Sequence, residues 1–272
     1  NTYLTLIKGF TCVAILYLPK SYLNGGWGFA TIASMFSGVF TLYCIYLLLE
    51  VRAKTNGRSY SEIGQICYGT PGKTLVNITL MFTQLGYPIA FLYFVIENFY
   101  DLFQTEFGFV WVDRNVIAVF WFVVFASLAY VRKLAIFART HVFADAMIML
   151  MLAVVIIYGL QLVYVRGALF KEVPFFNPHQ YSDSLGFSVF AYEGIGLILP
   201  VQDITADKKK YPFVINMVLV SMAIIFVSFG LMCTLSYGND QTPIISDELP
   251  MNWFTWIIKV LFCLNVMFSY PL

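Results

Sequence analysis

Charge is what this sequence has least of. Only 11% of its 272 residues are Asp, Glu, Lys or Arg, against about a quarter in an ordinary soluble domain. A soluble surface needs charge to cover it, so one or two soluble domains are argued against. The formal net charge is +1, which removes the electrostatic case for nucleic-acid binding. Cysteine is sparse, and positions 12, 44, 67, 233 and 263 show no paired spacing. No disulfide framework or metal motif follows from them, and in apolar segments a thiol reads as a small hydrophobe. Enzyme signatures are missing as well: there is no G-x-S-x-G, no H-E-x-x-H, no P-loop and no paired catalytic His and Cys. Nothing reads as the ring-forming filter of a channel. No enzyme activity, cofactor or metal is expected.

What is present is apolar. Hydrophobic residues make up 60% and aromatics 18%, and the mean hydropathy is +0.78. That composition excludes intrinsic disorder and leaves an integral membrane protein. Only helices or closed barrels cross hydrocarbon. The apolar runs are long and continuous rather than alternating ten-residue strands, so helices are expected. At about 20 apolar residues per crossing, the runs predict eight spans, over 4–23, 27–50, 74–100, 114–131, 141–165, 185–202, 212–236 and 252–272. The chain opens on Asn1 and stops inside an apolar run, so a longer protein is expected around it.

The basic residues sort by side. Lys8, Arg52, Lys54, Arg58, Lys73, Arg132, Lys133, Arg139, Lys208, Lys209 and Lys210 fall at one set of ends, and only Lys20, Arg114, Arg166 and Lys171 at the other. The positive-inside rule then puts the N-terminus in the cytoplasm. In loop 51–73, Ser59 or Ser61 is positioned to cap a short interfacial helix with Ile63, Ile66 and Cys67 on one face. Loop 164–185 contains Pro174, Pro178 and His179 and reads as a folded external loop.

Chemistry in a membrane sits where the apolar rule is broken. The sharpest break is in the sixth span, Ser188-Val189-Phe190-Ala191-Tyr192-Glu193-Gly194-Ile195-Gly196-Leu197-Ile198-Leu199-Pro200. It puts a carboxylate, two glycines and a proline in a hydrophobic stretch. A carboxylate at the bilayer centre needs water, a partner or a proton, and each glycine lowers helix propensity by about 1 kcal/mol. An unwound segment lining a cavity is expected; a neutral Glu193 bonding between helices is the plainer alternative. The first span echoes the pattern, with Gly9 early and Leu18-Pro19 at its end. Two interrupted helices five spans apart point to an inverted-repeat transporter. Gln84, Tyr87 and Pro88 are read as interrupting the third span. Tyr87 either faces the central cavity or packs beside a proline kink. Glu97 and Asp101 read as solvated, Asn265 and Ser269 as interhelical glue, Asp145 as a surface partner of Arg139 or His141, and Lys208–Lys210 as a lipid-headgroup anchor.

Leu6-Ile7-Lys8-Gly9 with Leu18-Pro19, Thr83-Gln84-Leu85-Gly86-Tyr87, and Phe190 to Gly196 with Leu199-Pro200 resemble the amino acid/auxin permease family. Tyr68-Gly69, Glu97-Asn98-Phe99 and the Arg132…Phe137 loop are similar to its proton-coupled amino acid transporter branch. The resemblance implies an all-α, leucine-transporter-like inverted-repeat bundle with interrupted helices 1 and 6. Residues 1–165 would be the first five-helix repeat, 166–184 an external loop, and 185–272 the first three helices of the second repeat. The implied partners are an amino acid and a proton within a lipid bilayer, and the implied membrane is the plasma membrane or one of vacuolar or lysosomal type. Substrate would sit between the interrupted helices, making Thr11, Cys12, Val13 and Ala14, with Phe190, Ala191, Tyr192, Glu193 and Gly194, the binding candidates. Tyr87 joins them, and Glu193 is also the proton-coupling candidate. One departure stands out: where family members usually carry Gly-x-Gly, this sequence has Cys12-Val13-Ala14. The added side chains imply either a changed or smaller substrate, or a non-transporting sensor or subunit with a membrane-complex partner.

Overall fold

The computed structural model describes residues 2–10, 14–105, 113–129, 134–167, 173–205, 207–238, 241–242, 244–249 and 253–269. Every regular element among them is helical. Helix α1 (Thr2–Phe10) and α2 (Ala14–Gly25) flank residues 11–13, and α3 (Trp27–Thr55) follows at once. Helix α4 spans Tyr60–Thr105, α5 Arg114–Ala129 and α6 Leu134–Arg166. The sixth predicted span is divided into α7 (Tyr181–Ala191), a 3₁₀ turn (Ile195–Leu197) and α8 (Ile198–Ile204). Helices α9 (Tyr211–Tyr237) and α10 (Trp253–Ser269) complete the order.

The packing of α3 identifies its solvent. It buries Gly28, Ala30, Ala33, Ser34, Ser37 and Gly38, and it turns outward Ile32, Phe36 and Val39, the last two 63% and 67% exposed. Small residues inside and large apolar ones outside reverse the pattern of a soluble helix. In a bilayer the small face lets backbones approach, and the large side chains meet lipid. Helix α9 likewise exposes Phe213, Val220 and Ile224 while burying Ile215, Met222 and Phe226. Among the described residues, four stretches are long and apolar enough, by length and composition, to cross a membrane: Trp27–Thr55, Tyr60–Gln104, Tyr181–Ile204 and Tyr211–Tyr237. Arg114–Leu128 and Met149–Val165 are apolar but shorter.

At 46 residues, a straight α4 would be about 69 Å long, more than twice the ~30 Å hydrocarbon thickness. It leaves helical angles at Gly69 (φ 67, ψ −153), a region open to glycine at little steric cost. The leg before Gly69 folds back so closely that a Cβ on Gly72 would collide with the Gly64 carbonyl. The short helix expected in this loop is present as one arm of a hairpin. Ser59 caps it: its Oγ accepts the Glu62 N–H at 3.2 Å. The expected apolar face is only partly realised. Ile63 is buried, close to Gly57, but Ile66 and Cys67 are exposed; the returning arm meets Gly64. The expected interruption at Gln84, Tyr87 and Pro88 is absent, and α4 continues through Pro88. A proline removes one helix bond, which membrane helices tolerate.

The chain packs as two compact units. The first comprises Asn1–Leu80 and Ile156–Glu248. In it, α2 packs on α7, α9 and α3, α3 on α7 and α9, and α1 on α9 and α8. The loop after α6 is folded onto this bundle from Val173 onward. Its Pro174 and Phe175 carbonyls accept the N–H groups of Trp27 and Gly28 at 3.2 and 3.1 Å, and Asn177 donates to the Gly25 carbonyl at 3.0 Å. The orphan donors at the start of α3 are thus satisfied by the loop, and Trp27 meets Phe175 edge-on with centroids 5.0 Å apart.

The second unit comprises Met81–Val155 and Leu249–Leu272. Phe94 packs edge-on against Phe262 at 5.2 Å, and Phe99 meets Trp121 at 4.5 Å. Glu97 is not simply solvated; it is ion-paired with Arg114.

Candidate functional site

The sixth span breaks where the sequence places its glycines. Helix α7 closes with short-range bonds, Tyr192 N–H to the Val189 carbonyl at 3.3 Å and Glu193 N–H to the Phe190 carbonyl at 3.1 Å. Gly194 has φ −155, ψ 7, and the chain then re-enters helix through the 3₁₀ turn. The break explains why Pro200 is tolerated. In a continuous helix its missing N–H would orphan the Gly196 carbonyl. Here it falls in the first turn of α8, where N–H groups have no helical acceptor.

Gly194 is buried against α1. A Cβ there would overlap the ring of Phe10, which is 2% exposed at the end of α1. The end of the first helix and the break of the sixth are therefore in direct contact. Ala191 is buried beside the break, and Phe190 and Glu193 are half-buried. Tyr192 is 1% exposed. Its phenol lies 3.4 Å from Ser34 Oγ on α3, and its ring meets Phe226 of α9 edge-on at 5.3 Å. It braces the break against the bundle.

A ring of donors holds the far side of the break. Tyr60 donates to the Ile195 carbonyl, and Tyr211 to the Ile198 carbonyl at 2.7 Å. Arg52 donates to the Leu199 carbonyl at 3.2 Å and to Gln202 Oε1 at 2.6 Å, and it is ion-paired with Asp203. Arg52 itself sits in the last turn of α3, where a cation is well placed at the carbonyl end of a helix. Tyr60 stands before the spanning part of α4. Burial pushes its phenol above the usual tyrosine range, with the Tyr211 phenol adding to the effect and Arg52 opposing it, so it remains a donor. At this same end Thr2 Oγ1 lies 3.2 Å from Thr205 Oγ1. At the opposite end Lys20 donates to the Gln241 carbonyl at 2.7 Å.

The structure thus brings together Phe190, Ala191, Tyr192, Glu193 and Gly194. Thr11, Cys12 and Val13 lie outside the described residues, as do the side chains of Ala14, Tyr87, Asp145 and Asn265. Phe10, Arg52, Tyr60 and Tyr211 were not among the candidates. Phe10 carries no signal beyond its place next to Thr11. Tyr60 and Arg52 stood out only as loop residues. Among the described residues no cluster of His, Cys, Asp and Glu could hold a metal ion.

The profile of the family described as Transmembrane amino acid transporter protein matches residues 1–272. The chain belongs to this family. The resemblance read from the broken sixth span is borne out, and as a member of a transporter family the chain is a multi-pass membrane protein rather than an enzyme. It is 28% identical to vacuolar amino acid transporter 4 of Saccharomyces cerevisiae over 276 residues, covering 100% of this chain and 39% of that protein. Vacuolar amino acid transporter 3 of Schizosaccharomyces pombe is 29% identical over 99% of this chain and 41% of its own length. Amino acid transporter AVT3B of Arabidopsis thaliana is 24% identical over 100% of this chain and 68% of its length. The chain spans about two fifths of the length of the yeast relatives it matches.

Proposed function

We propose that this chain is the substrate-binding part of a secondary active transporter that moves small neutral amino acids together with protons by alternating access. The architecture we read is the leucine-transporter-like inverted repeat, with eight spans in this stretch. The observation that carries the proposal is the broken span at residues 192–194, with half-buried Glu193 at the break and Gly194 against Phe10. The carbonyl end of α7 attracts an ammonium group, and a carboxylate beside it can hold that group or exchange a proton. The names of the yeast relatives support a vacuolar-type membrane. The gathering of Arg52, the start of α1 and the exposed Lys208–Lys210 supports a cytoplasmic N-terminus.

The test is uptake of labelled neutral amino acids by the full-length protein in proteoliposomes under opposed pH gradients. Uptake is expected to follow the proton gradient and to fall at least tenfold in Glu193→Gln, a loss of about 1.4 kcal/mol or more. Flux indifferent to the gradient removes proton coupling, and flux indifferent to Glu193→Gln removes its role. A folded protein with no flux for any amino acid favours the sensor reading raised by Cys12-Val13-Ala14.

A further inference from the structure

We infer that Tyr60 is a positioning residue of the broken span: from the hairpin ahead of the third span, its hydroxyl holds the Ile195 carbonyl and with it the direction in which α8 leaves the break. Helix α8 has seven residues, and isolated helices shorter than ~12–15 residues are marginal on their own. Its direction must come from outside. Three side chains from three elements donate to carbonyls at or just before its first turn, Tyr60 to Ile195, Tyr211 to Ile198 and Arg52 to Leu199.

The three anchors are not equivalent. Tyr211 opens the 27-residue α9 and Arg52 lies in the last turn of the 29-residue α3, so neither can withdraw without disturbing a long packed helix. Tyr60 rides on the arm that ends at Gly69. That arm leaves α3 through Asn56, which is left-handed at φ 54, and its tip, Gln65–Pro71, is exposed throughout. What holds it is small: the Gly64–Gly72 backbone contact, buried Ile63, and the Ser61–Asn77 hydrogen bond. Displacing this arm would release the Ile195 carbonyl, which sits one residue past Gly194, without unpacking the bundle. Tyr60 thus couples a loop segment, through α8, to the backbone that forms the candidate site.

Only the kinetic half of the test rests on the transport reading. Hydrogen–deuterium exchange is measured on the full-length protein carrying Tyr60→Phe, which keeps the ring and removes the donor. Tyr68→Phe is the control, since Tyr68 is 82% exposed on the same arm. Exchange within 195–204 is expected to speed by about fivefold, the equivalent of one net hydrogen bond. The rest of the bundle and the melting temperature should be unchanged, and Tyr68→Phe should resemble the parent. In proteoliposomes KM should rise by a similar factor while the maximal rate stays within about twofold. Unchanged exchange in 195–204, or faster exchange spread evenly over the bundle, overturns the inference. So does an unchanged KM in a protein that transports. If the parent carries no flux, the transport reading fails and the exchange result alone decides the role of Tyr60.

Discussion

Gly194 shows how one residue identity constrains the site. It is the residue that the Phe10 ring covers, and Phe10 is enclosed on all sides. A methyl group added there has nowhere to go unless α1 or the break shifts. Gly194→Ala should therefore cost about 1–3 kcal/mol, read as a lowered melting temperature in detergent. Combining it with Phe10→Leu should recover part of the loss, because residues in contact do not add. Strict additivity would mean that the contact does not limit this position. The break itself was legible in the sequence, since Gly194, Gly196 and Pro200 each disfavour helix for a stated reason. Phe10 was not, because an apolar residue in an apolar span carries no mark of which neighbour it meets. The direction of Tyr192 was equally hidden. At a helix end it depends on backbone angles that no spacing rule supplies, and here it points toward Ser34 and Phe226.

At the level of elements, polar and glycine signals gave the right kind of event but not always the right place. Gln84, Tyr87 and Pro88 were read as interrupting the third span, yet α4 passes through them, and the reversal falls at Gly69, in the loop ahead of that span. A proline deletes one hydrogen bond, whereas a glycine at positive φ redirects the chain, so the larger effect came from the quieter residue. Helix α10 supplies another case. Lys259 is 6% exposed inside it. With Asn98 of α4 and Cys263 it lines a cavity of about 10 Å³, room for about one water. Asn98 gives its amide N–H to the Phe94 carbonyl at 2.9 Å, while its Oδ1 has no hydrogen-bond partner. The cavity thus contains an acceptor and calls for a donor. Lys259→Gln keeps N–H groups there and should lower the melting temperature less than Lys259→Glu. Lys259→Glu adds acceptors and a buried negative charge, and should destabilise by about 1–3 kcal/mol or more. Equal effects of the two variants would show that donor character at 259 is irrelevant.

For the whole molecule, composition decided the solvent and the structure explains how the chain meets it, with small residues inward on α3 and aromatic and branched ones outward. The sorting of basic residues adds a statement about sides that can be checked by counting crossings. Between Cys67 and His179 the sequence reading places three spans, over 74–100, 114–131 and 141–165. Three is odd, so the two positions must lie on opposite faces of the membrane. Both are exposed. In sealed vesicles with the cytoplasmic face outward, an impermeant maleimide should label native Cys67 at once. With Cys67→Ala in the background, a His179→Cys variant should be labelled only after permeabilisation. The reverse pattern would invert the orientation but keep the odd count. Labelling of both from the same side would remove one crossing from this stretch, and with it the alternation of basic ends on which the eight-span reading rests.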